Sequence, residues 1–243
     1  MQFIGGDYAA LGYVIAACDV LEARIREIRS QFEARFLPRF GDDAARNRAI
    51  IKLLAEDLDV KRFFASVELE GVLKERLGLR EPVQTGPIVT HYTAANATGN
   101  NYGLPYHQDW PSMGTSSRAL IAWTSITDVG KVGPGLRIVP GSHAAGLWPG
   151  RQMDHGYVLE QQDIDGYMDV EIKAGQVLFM SPYLVHKTRV VDQPVDQPLD
   201  QPDAQAWKLS LSCRFDDMGC EQWSRRNFVS AYRTAVDREA YLK

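Results

Sequence analysis

Three consecutive residues, His107, Gln108 and Asp109, are answered far downstream by His186 within Val185-His186-Lys187-Thr188. In an extended strand, residues two apart share a face. His107 and Asp109 are therefore expected to reach one metal ion together, with Gln108 turned away. A distant histidine completes two imidazoles and one carboxylate on one side of the ion. The remaining positions stay open for a co-substrate and dioxygen, the arrangement expected of a non-haem Fe(II) oxygenase. Of the other histidines, His143 ends the turn-like run Pro140-Gly141-Ser142-His143, and His91 and His155 read as ordinary strand or loop residues.

Such a set needs elements to position it. From Val20 to Phe36 the apolar residues Val20, Leu21, Ile25, Ile28, Phe32 and Phe36 recur three or four apart, the period of a helix. Asp19 is placed to cap its start, and Leu37-Pro38 to end it. A second helix is expected over 42–54, with shorter ones up to Leu77, so that about 1–80 reads as a helical part. From Gln84 onward the texture changes to short β-type runs broken by Gly, Pro, Asn and Asp. Strands are expected at Pro87–Thr93, Leu104–Asp109, Ala119–Thr127, Gly135–Val139, Asp169–Ile172, Gln176–Met180, Val185–Val191 and Lys208–Phe215. Many short strands at even spacing predict a sandwich or barrel over about 84–215. Ala94–Gly103, rich in Asn and Gly, reads as a flap before the metal strand. The stretch 192–203 carries Asp-Gln-Pro three times and reads as an exposed insertion, and 221–243 as a final helix. No linker divides the chain, so 1–243 is expected to form one domain.

The bulk properties agree with a small-molecule enzyme. A hydrophobic fraction of 45 % with 24 % charged residues is that of a globular protein. The net charge of −4 gives no electrostatic reason to expect nucleic acid or an anionic membrane surface. No apolar run approaches the roughly 20 residues of a membrane span, and the first residues lack a secretion signal. Cys18, Cys213 and Cys220 have no metal-finger spacing. A cytoplasmic protein with reduced thiols is the expectation, and its oligomeric state is open.

In their order, Tyr106-His107-Gln108-Asp109, Ala122-Trp123-Thr124, Gly135 to His143 (Gly-Leu-Arg-Ile-Val-Pro-Gly-Ser-His), Ala174-Gly175-Gln176-Val177, His186 and Ser212-Cys213-Arg214-Phe215 resemble the phytanoyl-CoA hydroxylase-like (PhyH) family of Fe(II)/2-oxoglutarate dioxygenases. Gly12-Tyr13-Val14-Ile15 adds a weaker match. The resemblance implies a double-stranded β-helix, or jelly roll, braced by the N-terminal helices. It also implies Fe(II), 2-oxoglutarate and O2, and hydroxylation of an unactivated C–H bond with release of succinate and CO2.

The same resemblance implies that His107, Asp109 and His186 hold the iron and that Thr188 supplies a hydroxyl to the far carboxylate of 2-oxoglutarate. The position where the family carries an arginine for that carboxylate is Lys208 here. Lysine offers a point charge where arginine offers a fork. Arg214 shares its strand face by the two-residue rule and is the rival anchor. Trp123 is expected beside the co-substrate, and Trp110, Tyr102, Asn100 and Tyr92 at the substrate. Arg118 and Arg137 are expected in structural ion pairs. The Asn and Tyr residues of the flap point to a small polar substrate. A cupin-like metal enzyme without 2-oxoglutarate and a non-catalytic binding relative stay open as alternatives.

Overall fold

A period of two along the longer strands helps to build two antiparallel sheets, which helices flank. The computed structural model describes residues 1–41, 44–94, 103–130, 134–153, 156–189 and 207–226. The strands are β1 (Gln2–Asp7), β2 (Tyr13–Ala17), β3 (Pro82–Gln84), β4 (Val89–Ala94), β5 (His107–Gln108), β6 (Leu120–Ser125) and β7 (Gly135–Ile138). They continue as β8 (Gly150–Met153), β9 (Gly156–Leu159), β10 (Met168–Asp169), β11 (Val177–Met180), β12 (His186–Arg189) and β13 (Trp207–Asp217). The larger sheet runs β1-β2-β11-β6-β13-β3, with β4 also paired to β13; the smaller runs β10-β7-β12-β5-β9-β8.

Each long strand of the larger sheet divides its residues between two cores. Val14, Ala16, Leu120, Ala122, Val177 and Phe179 pack towards the helices. Their neighbours Tyr13, Ile15, Ile121, Trp123, Leu178 and Met180 pack towards the smaller sheet, against Leu136, Ile138, Val170 and Ile172. On β13 the outer set is Leu209, Leu211, Cys213 and Phe215. The alternate set, Lys208, Ser210, Ser212 and Arg214, faces a cavity.

The expected first helix spans Asp19–Gln31 and continues as a wider turn over Phe32–Phe36. Leu21, Ile25, Ile28 and Phe32 are at most 2 % exposed, each contributing about 2 kcal/mol of apolar burial. Two details differ from expectation. Cys18 holds the cap position without a side-chain bond, and Asp19 lies in the first turn, where its charge still suits the helix dipole. Val20 falls outside the stripe and is exposed. The second helix is described over Ala44–Leu54. Leu58–Phe64 and Val67–Gly71 follow, capped by the side chains of Asp57 and Ser66.

The first third is not purely helical, because β1 and β2 form a hairpin that extends the larger sheet. The turn before β2 needs Gly12 at φ +78°, where a Cβ would meet the His143 ring at 2.6 Å. Gly150–Met153 and Gly156–Leu159, where no strand is expected from the sequence, pair as β8 and β9 on the smaller sheet. The strand expected over Leu104–Asp109 shrinks to His107–Gln108, since Pro105 has no N–H for a ladder and Asp109 turns into the helical region. The insertion 192–203, most of the flap and 227–243 lie outside the described residues; of the final helix, Glu221–Arg226 is described. No described helix is long and apolar enough to cross a membrane.

Candidate metal centre

His107 on β5 and His186 on β12 are direct partners in the antiparallel register, and their ring centroids are 4.1 Å apart. Both are buried. The Nδ1 of His107 lies 2.8 Å from the Pro105 carbonyl oxygen, and that of His186 lies 2.9 Å from Leu184 O. A carbonyl only accepts, so each Nδ1 carries the proton and each Nε2 presents a lone pair. Both lone pairs are aimed at Asp109, whose Oδ1 is 3.5 Å from His107 Nε2 and 4.0 Å from His186 Nε2.

Asp109 reaches this point by a route other than strand alternation. Its backbone is helical (φ −79°, ψ −24°) and opens the Trp110–Met113 turn. The N–H groups of Asp109 and Trp110 both donate to Pro182 O at 3.1 Å, which fixes the turn against the chain leading into His186. Gln108 points the other way, as expected, and ties the periphery together. Its Nε2 donates to Gly146 O and Tyr183 O, and its Oε1 accepts from Trp148 N.

The second carboxylate oxygen of Asp109 accepts from Arg214 Nη2 at 3.1 Å, while Arg214 Nη1 donates to Ser212 Oγ at 3.1 Å. Burial alone would push the Asp109 carboxyl up. The Arg214 guanidinium outweighs it and holds the group well below the usual carboxylate range. Burial, reinforced by His107, pushes His186 down to about 4, so its imidazole is neutral. Three ligand atoms from His107, Asp109 and His186 lie within 4.8 Å of one another. Two neutral imidazoles and an ionised carboxylate on one side are the donor set that mononuclear iron(II) takes, so the residues fit that ion.

The three ligands open into a cavity of about 760 Å³. Trp123, Thr188, Lys208, Arg214 and Tyr92 all line it. Lys208 Nζ sits 5.5 Å from the Trp123 ring centroid, on a side chain only 5 % exposed. Burial, followed by the Arg189 charge, pushes its ammonium down to about 7. Thr188 Oγ1 accepts from Leu104 N at 3.3 Å.

Other expected residues fare differently. Trp110 does not line the cavity; its ring stacks on Tyr183 at 5.2 Å. Tyr92 lies largely among aromatic neighbours, with Phe40 at 5.2 Å and Trp207 at 6.0 Å. Asn100 and Tyr102 lie outside the described residues. His143 is away from the centre, its Nε2 3.3 Å from Ala9 O. Arg118 and Arg137 make the expected ion pairs, to Asp217 at 3.1 Å and Asp169 at 2.7 Å. Among the titratable residues of the cavity, sequence reasoning missed Lys52 and His91. Period two from Thr93 would have found His91; no local signal marks Lys52.

The family model described as Phytanoyl-CoA dioxygenase (PhyH) matches residues 8–191. No curated protein matches by sequence. Among solved structures, the non-heme monooxygenase ThoJ in its apo form is similar, with a TM-score of 0.63 and 16 % identity over 86 % of this chain and 75 % of that one. EctD from S. alaskensis with bound Fe gives a TM-score of 0.59 and 14 % identity over 87 % and 75 % of the two chains. The non-heme alpha ketoglutarate dependent epimerase SnoN from nogalamycin biosynthesis gives 0.54 and 17 % over 95 % and 87 %.

Proposed function

Because the chain belongs to the phytanoyl-CoA dioxygenase (PhyH) family, and so to the Fe(II)/2-oxoglutarate-dependent oxygenases, we propose that it hydroxylates an unactivated C–H bond of a small polar molecule. The observation that carries this reading is the convergence of His107 Nε2, His186 Nε2 and Asp109 Oδ1 on one wall of a cavity that also holds Lys208. Two antiparallel sheets sharing one core support a jelly roll, and continuous packing of helices on it supports one domain over the whole chain.

His107, Asp109 and His186 would hold the iron, and Lys208 the far carboxylate of 2-oxoglutarate. Arg214 is already engaged by Asp109 and Ser212, so Lys208, buried in the cavity wall, is the better placed of the two to hold that carboxylate. Thr188 and Trp123 border the same space. When bound, iron and 2-oxoglutarate supply oxidation by dioxygen, with release of succinate and CO2. The chain's own residues do the positioning. The two Nδ1–H groups, each donating to a backbone carbonyl, lock both imidazoles with the lone pair towards the centre. Arg214 keeps Asp109 ionised and leaves one oxygen for the metal. Ile121, Leu136 and Met180 give the cavity an apolar wall that keeps water from competing with substrate. Holding the reacting C–H close to the centre is worth several kcal/mol of the barrier, about 7 or more in well-oriented cases.

The test is an anaerobic titration of Fe(II) and 2-oxoglutarate into metal-free protein, following the visible metal-to-ligand charge-transfer band. A band that vanishes in His186→Ala, with succinate formed when oxygen is admitted, is the expected result. Iron binding without a band would overturn the 2-oxoglutarate assignment.

A further inference from the structure

Resting on the iron and 2-oxoglutarate reading above, we infer that the substrate carries an anionic group, a carboxylate or a phosphate, received by Lys52 and His91 at the cavity mouth. Lys52 comes from the helix Ala44–Leu54 and His91 from β4, and both are exposed yet line the cavity. The two elements are fastened to each other directly before these residues, where Thr90 Oγ1 donates to Ile51 O at 3.0 Å. Neither Lys52 nor His91 has a carboxylate partner among the described residues, unlike Lys61, Lys74 and Lys173, which are paired.

The charges around the cavity lead to the same conclusion. Among the described lining residues Asp109 is the sole carboxylate, against Lys52, Lys208 and Arg214. With 2-oxoglutarate loaded, its two negative charges and that of Asp109 are balanced by the divalent iron and Lys208. Counting Arg214, which is paired with Asp109, and Lys52, which has no carboxylate partner among the described residues, the cavity and its edge then hold an excess of positive charge. A neutral substrate would close the cavity over that excess, and a cationic one would be repelled. An anion offsets it, and the positive mouth would also draw the anion in. Lys52 gives a compact charge on a long stem and His91 a ring N–H donor, both suited to oxyanions.

The experiment uses the protein loaded with Fe(II) and 2-oxoglutarate under strict anaerobiosis, so that nothing turns over. Benzoate, phenyl phosphate and the neutral benzamide are titrated calorimetrically, with the charge-transfer band recording that the centre is loaded. At least one anion should bind about tenfold or more tightly than benzamide, and Lys52→Glu should remove that preference while Lys52→Arg keeps it. Whichever anion binds better identifies the head group. Equal binding of benzamide, undetectable binding of both anions, or an unaltered preference in Lys52→Glu would overturn the inference. A missing band in the wild-type protein would instead be a failure of the iron and 2-oxoglutarate reading, so the two are separable. Lys52 is exposed, and its replacement does not threaten the fold.

Discussion

Arg214 and Asp109 meet across the cavity in a single hydrogen-bonded ion pair, Nη2 to Oδ2 at 3.1 Å, with Oδ1 left facing both histidine Nε2 atoms. The pair divides the carboxylate between two tasks. Arg214→Gln should free Oδ2 and release the carboxylate's orientation. Metal affinity should fall by about 10- to 100-fold, as outer partners of metal ligands commonly contribute, with an unchanged circular dichroism spectrum. If metal affinity is unaltered but 2-oxoglutarate affinity falls, Arg214 is the co-substrate anchor and Lys208 is not.

A lysine ammonium pushed down to about 7 must take up a proton when an anion settles against it above that pH. 2-Oxoglutarate binding is therefore expected to weaken as pH rises through about 7 and upward, and to be accompanied by proton uptake. Burial and the Arg189 charge oppose the protonated form, and the bound carboxylate reverses the balance. Calorimetry in two buffers of different ionisation enthalpy measures the uptake. It should vanish in Lys208→Met; persistence there would place the titrating group elsewhere.

The same residue weighs against stability. In the unfolded chain Lys208 keeps its ordinary value of 10.5, while folding lowers it to about 7. Between these values the unfolded chain holds a proton that the folded one has given up, so stability rises with pH across that window. Below about 7 the folded protein carries a buried, unpaired charge. Lys208→Met should stabilise the metal-free protein by on the order of 2 kcal/mol at pH 6, with the gain shrinking towards pH 10. Thermal melts at both pH values check this; a lower melting temperature at pH 6 would contradict it.

Gln108 makes three hydrogen bonds to backbone groups of residues 146, 148 and 183. It is fully buried. Gln108→Leu leaves those groups unpaired at a cost of about 1–3 kcal/mol each, and the loops flanking the metal centre lose their tie. Chemical denaturation should register a loss of about 3 kcal/mol or more. A loss under 1 kcal/mol would mean that water substitutes for the amide.

The ligand set was legible because its spacing is chemical: a metal needs these residue types, whatever backbone carries them. The reason given for the spacing was nevertheless wrong at Asp109, which leaves the strand and reaches the centre from a turn held by Pro182 O. Strand alternation was legible on β6, β11 and β13, where apolar runs are long. It was not legible on β1, where Gln2-Phe3-Ile4-Gly5-Gly6-Asp7 has little apolar content, or on β8 and β9, mostly exposed or half-exposed strands at a sheet edge. Arg214 was visible as a cavity cation, but its engagement with Asp109 depends on a partner 105 residues away. Lys52 was hidden because a helix surface lysine looks alike whether it faces solvent or a cavity mouth.

The alternation of β13 has a consequence for how this protein can change. Leu209, Leu211, Cys213 and Phe215 belong to the helix-side core, and Lys208, Ser210, Ser212 and Arg214 to the cavity. Deleting a single residue within the strand would exchange the two sets at every position beyond it. It would send hydroxyls and a guanidinium into the core and apolar groups towards the iron, in one step and without a partial version. A change of length that ends before Trp207 leaves this parity intact, and the three Asp-Gln-Pro repeats fall on that side of the boundary. The strand thus behaves as a reading frame. Length can drift upstream of it, whereas inside it only substitutions, one face at a time, are open to selection.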